Sequence, residues 1–307
     1  MWLGWFWLAC VPNFAECEDC CAYGECDASM DLTDSVSIDF SYIPEGNDPL
    51  NRYSIRQGFY VMTTEVSQGM FQELMAYSAY EGFQPAYGVG SNHPAYYVNW
   101  HMAANLANNL TTRHNDIYGT SLNVCYSCTE TETLSVECTH SSSPYACSGY
   151  RLPTDIEWEY LARSGTTADF WTGMGDDNGG IASGDACNDT ISILDDAESP
   201  LLSEFAWFCY TDSTQPIASL QPNGFDLYDI HGNLWEWTND DFGCTFPESV
   251  YEHHCTDVSN TRVGRGGSFS IFPSYTAVGG RFEANGTRRD HSIGFRLLRL
   301  ANRKKNQ

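Results

Sequence analysis

The sequence predicts an α+β fold with little regular secondary structure. Apolar residues recur at helical spacing in three separate segments, beginning near Thr64, Val98 and Thr154. Short strand-like runs stand at 35–39 and 59–62, and the stretch 170–223 is rich in glycine, acids and other loop formers. At 307 residues the chain has room for one large domain or two small ones. Its 14% aromatic content supplies bulky side chains for a sizeable core.

Residues 11–35 carry Cys17, Cys20, Cys21 and Cys26 among acids and small residues, and read as a linker or a small disulfide knot. Residues 35–39 alternate and could open a strand; Phe59-Tyr-Val-Met62 reads as another. From Thr64 onward, Val66, Met70, Phe71, Leu74 and Met75 fall on one helical face. Residues 98–110 form a second helix, with Met102, Leu106 and Leu110 every fourth residue; His101 on it reads as a surface or capping histidine rather than a ligand. In Leu152-Pro-Thr-Asp-Ile-Glu157, Thr154 can cap a helix and Glu157 can reach back to complete a capping box, with Gly165 as the stop. Glu157 and Glu159 are two apart, face different sides and do not form an acid–base pair. Arg151 reads as an anchor that ties this helix down through a carboxylate.

The net charge of −25 argues against a nucleic-acid partner, because phosphate binding needs clustered cations. Both lysines, Lys304 and Lys305, lie in the basic tail 302–307, which reads as a solvated end. Thirteen cysteines point to an oxidising compartment. The opening residues are apolar and end in Leu8-Ala9-Cys10, like the close of a bacterial lipoprotein signal with Cys10 as the lipidated residue. A misplaced start codon would account for the missing positive segment and the short apolar run. Setting Cys10 aside leaves an even number of cysteines, as full disulfide pairing requires. Cys125, Cys128, Cys138 and Cys147 share one insertion. The first two have metal-type spacing, but the second two are far apart, so two disulfides are favoured over a zinc site or a redox pair. Cys187 with Cys209 and Cys244 with Cys255 are further candidate disulfides; His253 and His254, inside the second loop, are neighbours that point apart in extended chain.

In Phe225-Asp-Leu-Tyr-Asp-Ile-His-Gly-Asn-Leu-Trp-Glu-Trp237, Asp229 and Glu236 bracket a sharp turn at Gly232. Calcium takes six to eight oxygens, commonly a mixture of carboxylates and backbone carbonyls. The carbonyls of Gly232 and Leu234 could join the Asp229 and Glu236 carboxylates in such a shell. A hairpin corner with solvated acids and two core tryptophans is the alternative reading of the same residues.

Taken together with 149–160 (Gly-Tyr-Arg-Leu-Pro-Thr-Asp-Ile-Glu-Trp-Glu-Tyr), Arg265-Gly-Gly-Ser-Phe269 and Gly294-Phe-Arg296, this stretch resembles the sulfatase-modifying factor family, the formylglycine-generating enzymes. The similarity runs from about Ser37 to Leu300. It implies a formylglycine-generating-enzyme fold related to C-type lectins, with structural calcium and, near Asn188 and Asp189, a second calcium. Members that make formylglycine oxidise a substrate cysteine with copper held by two cysteines just after Arg-Gly-Gly-Ser. By position those are Ile271 and Thr276 here, while Trp235 and Ser268 match retained residues. Cu(I) requires soft thiolates, so copper is not expected. An iron-dependent branch of the family needs an additional helical domain with three histidines, for which the chain has no room. A Gly-x-Ser-x-Gly elbow, a phosphate loop and a His-Glu-x-x-His helix are absent from the sequence.

The expected organisation is a signal and Cys-rich linker at 1–35, one domain at 36–301 and the tail. The expected location is extracytoplasmic: secreted, periplasmic or lipid-anchored through Cys10. The expected role is a calcium-stabilised module that binds a protein, peptide or glycan, with the aromatic loop 87–97 as groove or as core. The alternative is an oxidoreductase of the same superfamily with a cysteine-independent metal site.

Overall fold

The computed structural model describes residues 28–132, 135–173, 202–209, 212–243, 250–251, 254–255 and 259–301. Five short strands open the described chain: β1 (Ala28–Thr33), β2 (Val36–Ile43), β3 (Gly46–Asn47), β4 (Tyr53–Ile55) and β5 (Phe59–Met62). Helices α1 (Gln68–Met75) and α2 (Trp100–Tyr118) follow, then the hairpin β6 (Tyr126–Glu132) and β7 (Ser135–His140), then α3 (Asp155–Arg163). The second half is strands and loops: β8 (Ala206–Trp207), β9 (His231–Gly232), β10 (Trp235–Asp241), β11 (Val250–Tyr251), β12 (Thr261–Arg265), β13 (Phe282–Asn285), β14 (Ile293–Gly294) and β15 (Leu298–Leu300). The expected α+β class with sparse regular structure is what forms.

Two four-stranded sheets frame the molecule. One runs β1-β2-β5-β15, the other β13-β12-β10-β14, and in both most neighbours are antiparallel. In β1 the pattern alternates, so Ala28, Met30 and Leu32 face inward; β5 is buried along its whole length, as befits a strand with partners on both edges. The main core gathers one face of α1 and α2 against β1, β2 and β5, with Trp100, Trp237 and Phe40 fully enclosed.

The helices start where their caps are. Ser67 accepts from the Met70 N–H to open α1, Asn99 accepts from Met102 to open α2, and Thr154 forms the expected capping box with Glu157. Helix α1 begins at Gln68 rather than Thr64, because Val66 is extended: its N–H donates to the Phe295 carbonyl and its own carbonyl accepts from Ala95. Helix α2 continues past Leu110 to a left-handed Gly119. His101 is packed under the hairpin, where Nδ1 accepts from the Cys138 N–H, a structural position rather than a capping one.

The insertion cysteines pair as nested bridges, Cys125–Cys147 outside Cys128–Cys138, with the inner pair directly opposite across β6 and β7. All four sulfurs are therefore occupied, which excludes zinc there. Cys209 and Cys255 are also disulfide-bonded, with partners outside the described residues. Cys187, Cys244, Asn188, Asp189, His253, residues 1–27 and the tail 302–307 lie outside the described residues as well. Among the described residues no helix is long and apolar enough to cross a membrane.

Candidate functional site: the Asp229–Glu236 loop and the turn beside it

The loop from Asp229 to Glu236 is held in an unusual backbone path. Asp229 and Asn233 both adopt positive φ, at 56° and 58°, and Gly232 has φ 95°. A side chain at Gly232 is impossible, since a Cβ there would meet the Trp207 carbonyl oxygen at 1.7 Å. Such conformations persist only where surrounding contacts over-determine them. Here those contacts come from Glu65, just before α1. One Glu65 oxygen accepts from the Leu234 N–H at 2.9 Å and the other from the Asn233 side-chain amide at 2.8 Å. The Asn233 carbonyl in turn accepts from Phe269, and its side-chain oxygen from Gln215.

Three carboxylates thus meet in the interior: Glu65, Asp229 and Glu236, all buried. The cation among them is Arg296, fully buried, whose Nε and Nη2 lie 2.7–2.9 Å from the two Glu236 oxygens. Trp158 donates its indole N–H to Glu236 at 2.8 Å, and Arg296 also donates to the Tyr228 carbonyl. Asp229 accepts from the Ala218 N–H through Oδ2, and the Trp207 side chain also bonds its carboxyl. Burial pushes the Asp229 carboxyl up to about 6 and, helped by Asp229 and Glu236, lifts Glu65 well above the usual carboxylate range.

This arrangement bears on a hard cation in two ways. The carboxylates outnumber the guanidinium, while the Asp229 carboxyl is already bonded by the Ala218 N–H and the Trp207 side chain. Glu236 is already engaged by Arg296 and Trp158, so any ion would share it rather than own it. Asp229, Glu236 and the carbonyls of Gly232 and Leu234 are the set that the sequence offers to calcium, and among the described residues no group of three or more histidine, cysteine, aspartate or glutamate side chains is placed to hold a metal ion. Glu65, Asn233 and Arg296 had no role in the reading of the sequence. Arg296 left a partial signal, since it interrupts the apolar stretch 293–298 and a buried charge requires a partner, whereas Glu65, between Thr64 and Val66 in a polar stretch, left none.

The turn after Arg265 lies alongside. Phe269 donates to the Asn233 carbonyl, and Ile271 to that of Ser268, so the segment 268–276 is built against the loop. Trp235 is buried and stacks on Phe282 at 5.2 Å between ring centroids. Ile271 is partly buried against the main core, and its carbonyl accepts from Cys209. Thr276 is fully buried; its hydroxyl donates to the Pro273 carbonyl, and His231 Nδ1 donates to the Thr276 carbonyl at 2.7 Å. Burial holds the His231 imidazole down at about 4 against the pull of that carbonyl, so the ring is neutral at ordinary pH.

The aromatic loop joins the site from the other side. Tyr87 stacks on His291 and lies near Phe269, while Phe83 stacks on Tyr97, itself at φ 60°, beneath the Arg289 guanidinium. These rings spend their faces on one another, so the loop is core and scaffold more than groove. Arg151 performs the predicted anchoring: it grips Glu157 with two hydrogen bonds of 2.7 and 2.8 Å. Glu159 faces elsewhere. Burial pushes it up, but Arg265, Arg52 and Arg163 outweigh that and hold it at about 2.

Comparison with known proteins gives the arrangement its relatives. The chain is similar to the formylglycine-generating enzyme of Mycobacterium tuberculosis, 34% identical over 113 residues, which cover 37% of this chain and 32% of that one. The match thus spans about a third of the length of that enzyme. It is similar to the chaperone protein LppX of Paenibacillus barcinonensis over a longer reach: 25% identity across 254 residues, 78% of this chain and 80% of the relative. Among solved structures, Treponema denticola variable protein 1 shares the fold with a TM-score of 0.68 at 22% identity, covering 90% of this chain and all of that one. The family model of the sulfatase-modifying factor enzyme 1-like domain matches residues 27–301. The chain belongs to that family, with its formylglycine-generating-enzyme, C-type-lectin-like fold.

Proposed function

We propose that the chain is an extracytoplasmic accessory module that binds a protein partner, is stabilised by calcium at the Asp229–Glu236 loop, and lacks the copper-dependent oxidase chemistry of its family. The observation that carries this reading is the pair Ile271 and Thr276, an alkyl group and a hydroxyl where the resemblance places two thiolates. Neither side chain offers the soft ligand that Cu(I) requires. The reach of the similarity supports the accessory role, since the chaperone relative matches most of its length and the enzyme relative only about a third. The disulfides at Cys125–Cys147 and Cys128–Cys138 support a location outside the reducing cytosol.

Calcium in the loop supplies positive charge against the carboxylate excess and keeps Asp229 ionised. Asp229 and Glu236 provide charged oxygens, Gly232 and Leu234 carbonyls, and Glu65 holds the turn through the Leu234 N–H and the Asn233 amide. An ion present at a hundred times its dissociation constant stabilises the folded state by about 2.7 kcal/mol. For a domain of this size that raises Tm by several degrees. EDTA therefore lowers Tm of the wild-type protein, and Asp229→Ala or Glu236→Ala abolishes the difference between calcium and EDTA. An unchanged wild-type Tm in EDTA removes calcium from the proposal. Titration with copper and iron, and an assay for aldehyde on a cysteine-containing peptide, test the rest. Stoichiometric redox metal or aldehyde formation establishes an oxidoreductase instead.

A further inference from the structure

The two bridges of the β6–β7 hairpin are chemically unequal. Cys125, Cys138 and Cys147 are 3–4% exposed, whereas Cys128 is only partly buried, the one of the four left open to solvent. Their polar neighbours differ too. The Cys138 sulfur faces the His101 carbonyl at 3.3 Å and the Cys147 sulfur the Asn123 carbonyl at 3.3 Å, oxygens that accept from a thiol and repel a thiolate. Burial keeps the His101 imidazole neutral, so it brings no positive charge to Cys138. The Cys128 sulfur instead receives the Asn108 side-chain N–H at 3.6 Å, a donor that favours negative charge on it. Asn108 is held in place for this contact, because its Nδ2 also donates to the Tyr126 carbonyl and its Oδ1 accepts from the Tyr126 N–H.

Opening the inner bridge leaves the hairpin standing. Its cysteines are 10 apart in sequence and lie inside the span of 22 already closed by Cys125–Cys147, so it restricts the unfolded chain less than the outer bridge does. The strand ladder, the burial of Tyr126 and Val136 in the main core, and the bonds of Tyr126 and His140 to Asn239 do not pass through it. An accessible sulfur with a charge-stabilising donor, bonded to a buried sulfur with an acceptor waiting for its proton, has the asymmetry of a nucleophilic and a resolving cysteine. The bridge, not the Cys125-x-x-Cys128 spacing, supplies the couple.

We propose that Cys128–Cys138 is a thiol–disulfide exchange site whose substrate is a polypeptide carrying a pair of cysteine thiols, with Cys128 as the attacked sulfur and Cys138 as the resolving one. A partner thiolate attacks the Cys128 sulfur, the Cys128–Cys138 bond breaks, and a mixed disulfide forms on Cys128. Cys138 leaves as a thiolate, takes a proton from solvent and donates it to the His101 carbonyl. The partner's second thiolate then attacks the partner sulfur of the mixed disulfide and releases Cys128 as a thiolate beside Asn108. Two electrons pass from partner to hairpin, so the partner departs with a disulfide; run backwards, the reduced hairpin reduces a partner disulfide. This activity does not depend on calcium at the Asp229–Glu236 loop. The test equilibrates the full chain with graded mixtures of reduced and oxidised glutathione, quenches with acid, and maps free cysteines by alkylation and mass spectrometry. Cys128 and Cys138 are expected to open together at a reduced-to-oxidised ratio at least about tenfold lower than Cys125 and Cys147 require. Cys138→Ser captures one glutathione on Cys128, whereas Cys128→Ser captures it on Cys138 at least about tenfold more slowly. A two-cysteine peptide added in its dithiol form becomes oxidised in step with the appearance of free Cys128 and Cys138. In the reduced chain Asn108→Leu slows alkylation of Cys128 several-fold, while Asn105→Leu, which removes a neighbouring bond from α2 to Glu130, leaves it unchanged. Opening of both bridges at one ratio, faster capture at Cys138, or a hairpin that stays oxidised at every ratio overturns the proposal. Equal slowing by the two asparagine variants overturns the part given to Asn108.

Discussion

Arg296 shows how much a single side chain can carry. It is fully buried, pairs with both oxygens of Glu236 and reaches across to the carbonyls of Tyr228 and Thr63. Arg296→Met leaves Glu236 as an uncompensated interior charge, at a cost of about 3–5 kcal/mol. Replacing both partners with apolar residues of similar volume recovers a large part of that. Chemical denaturation in EDTA measures the two; a double variant as unstable as the single one shows that the pair matters for more than its charge balance. Asp240 gives the pH signature. It accepts from the N–H groups of Asp155 and Cys255, and burial, followed by repulsion from Asp155, pushes its carboxyl up to about 7. A raised folded-state value means the proton stabilises the fold. The contribution is complete below the ordinary aspartate range and is lost as pH rises through about 7. Wild-type stability therefore falls from the ordinary aspartate value of 3.8 up to about pH 7 relative to Asp240→Asn, whose profile is flatter although its overall stability is lower. Parallel profiles for the two proteins contradict the shifted titration.

The β6–β7 hairpin tests whether one element can be loosened apart from the rest, although Tyr126 and Val136 enter the main core and Tyr126 and His140 bond Asn239 of β10. Its inner disulfide closes a short loop with Cys128 directly opposite Cys138, and its strands pair only with each other while resting on α2 through His101, Asn105 and Asn108. Cys128→Ser/Cys138→Ser is expected to cost about 2–4 kcal/mol. Hydrogen exchange should accelerate in β6 and β7 first, while β5 and β10 keep their protection. Uniform acceleration throughout the molecule shows that the hairpin is part of the cooperative core. Elements of this kind were largely legible. Capping residues announce themselves locally, so Thr154 with Glu157 and the helical face of Met102, Leu106 and Leu110 could be read directly. Boundaries set by distant partners could not: Val66 leaves the helix because Phe295 and Ala95, far along the chain, take its backbone groups.

At the scale of the whole molecule, the fold class and family were legible because several ordered motifs fall in loops and caps with strict backbone demands. The site was legible in part. Asp229, Gly232 and Glu236 advertise a turn with acids, whereas Glu65 and Arg296 reach it across 164 and 67 residues of sequence from Asp229, and no local pattern encodes that. Sheet order was hidden for the same reason. Strand β5 lies between β2, its near neighbour in sequence, and β15, more than two hundred residues later. This placement has a consequence for biogenesis. As the polypeptide leaves the ribosome or crosses a membrane, β5 stays without its second edge until Leu298–Leu300 has emerged, and Arg151 likewise waits for Leu298. Loop closure over such separations is slow. All of the chain from β1 to β15 must be made before this sheet can shut, which leaves a long interval in which cysteines can pair wrongly and a disulfide isomerase or holdase would be of use.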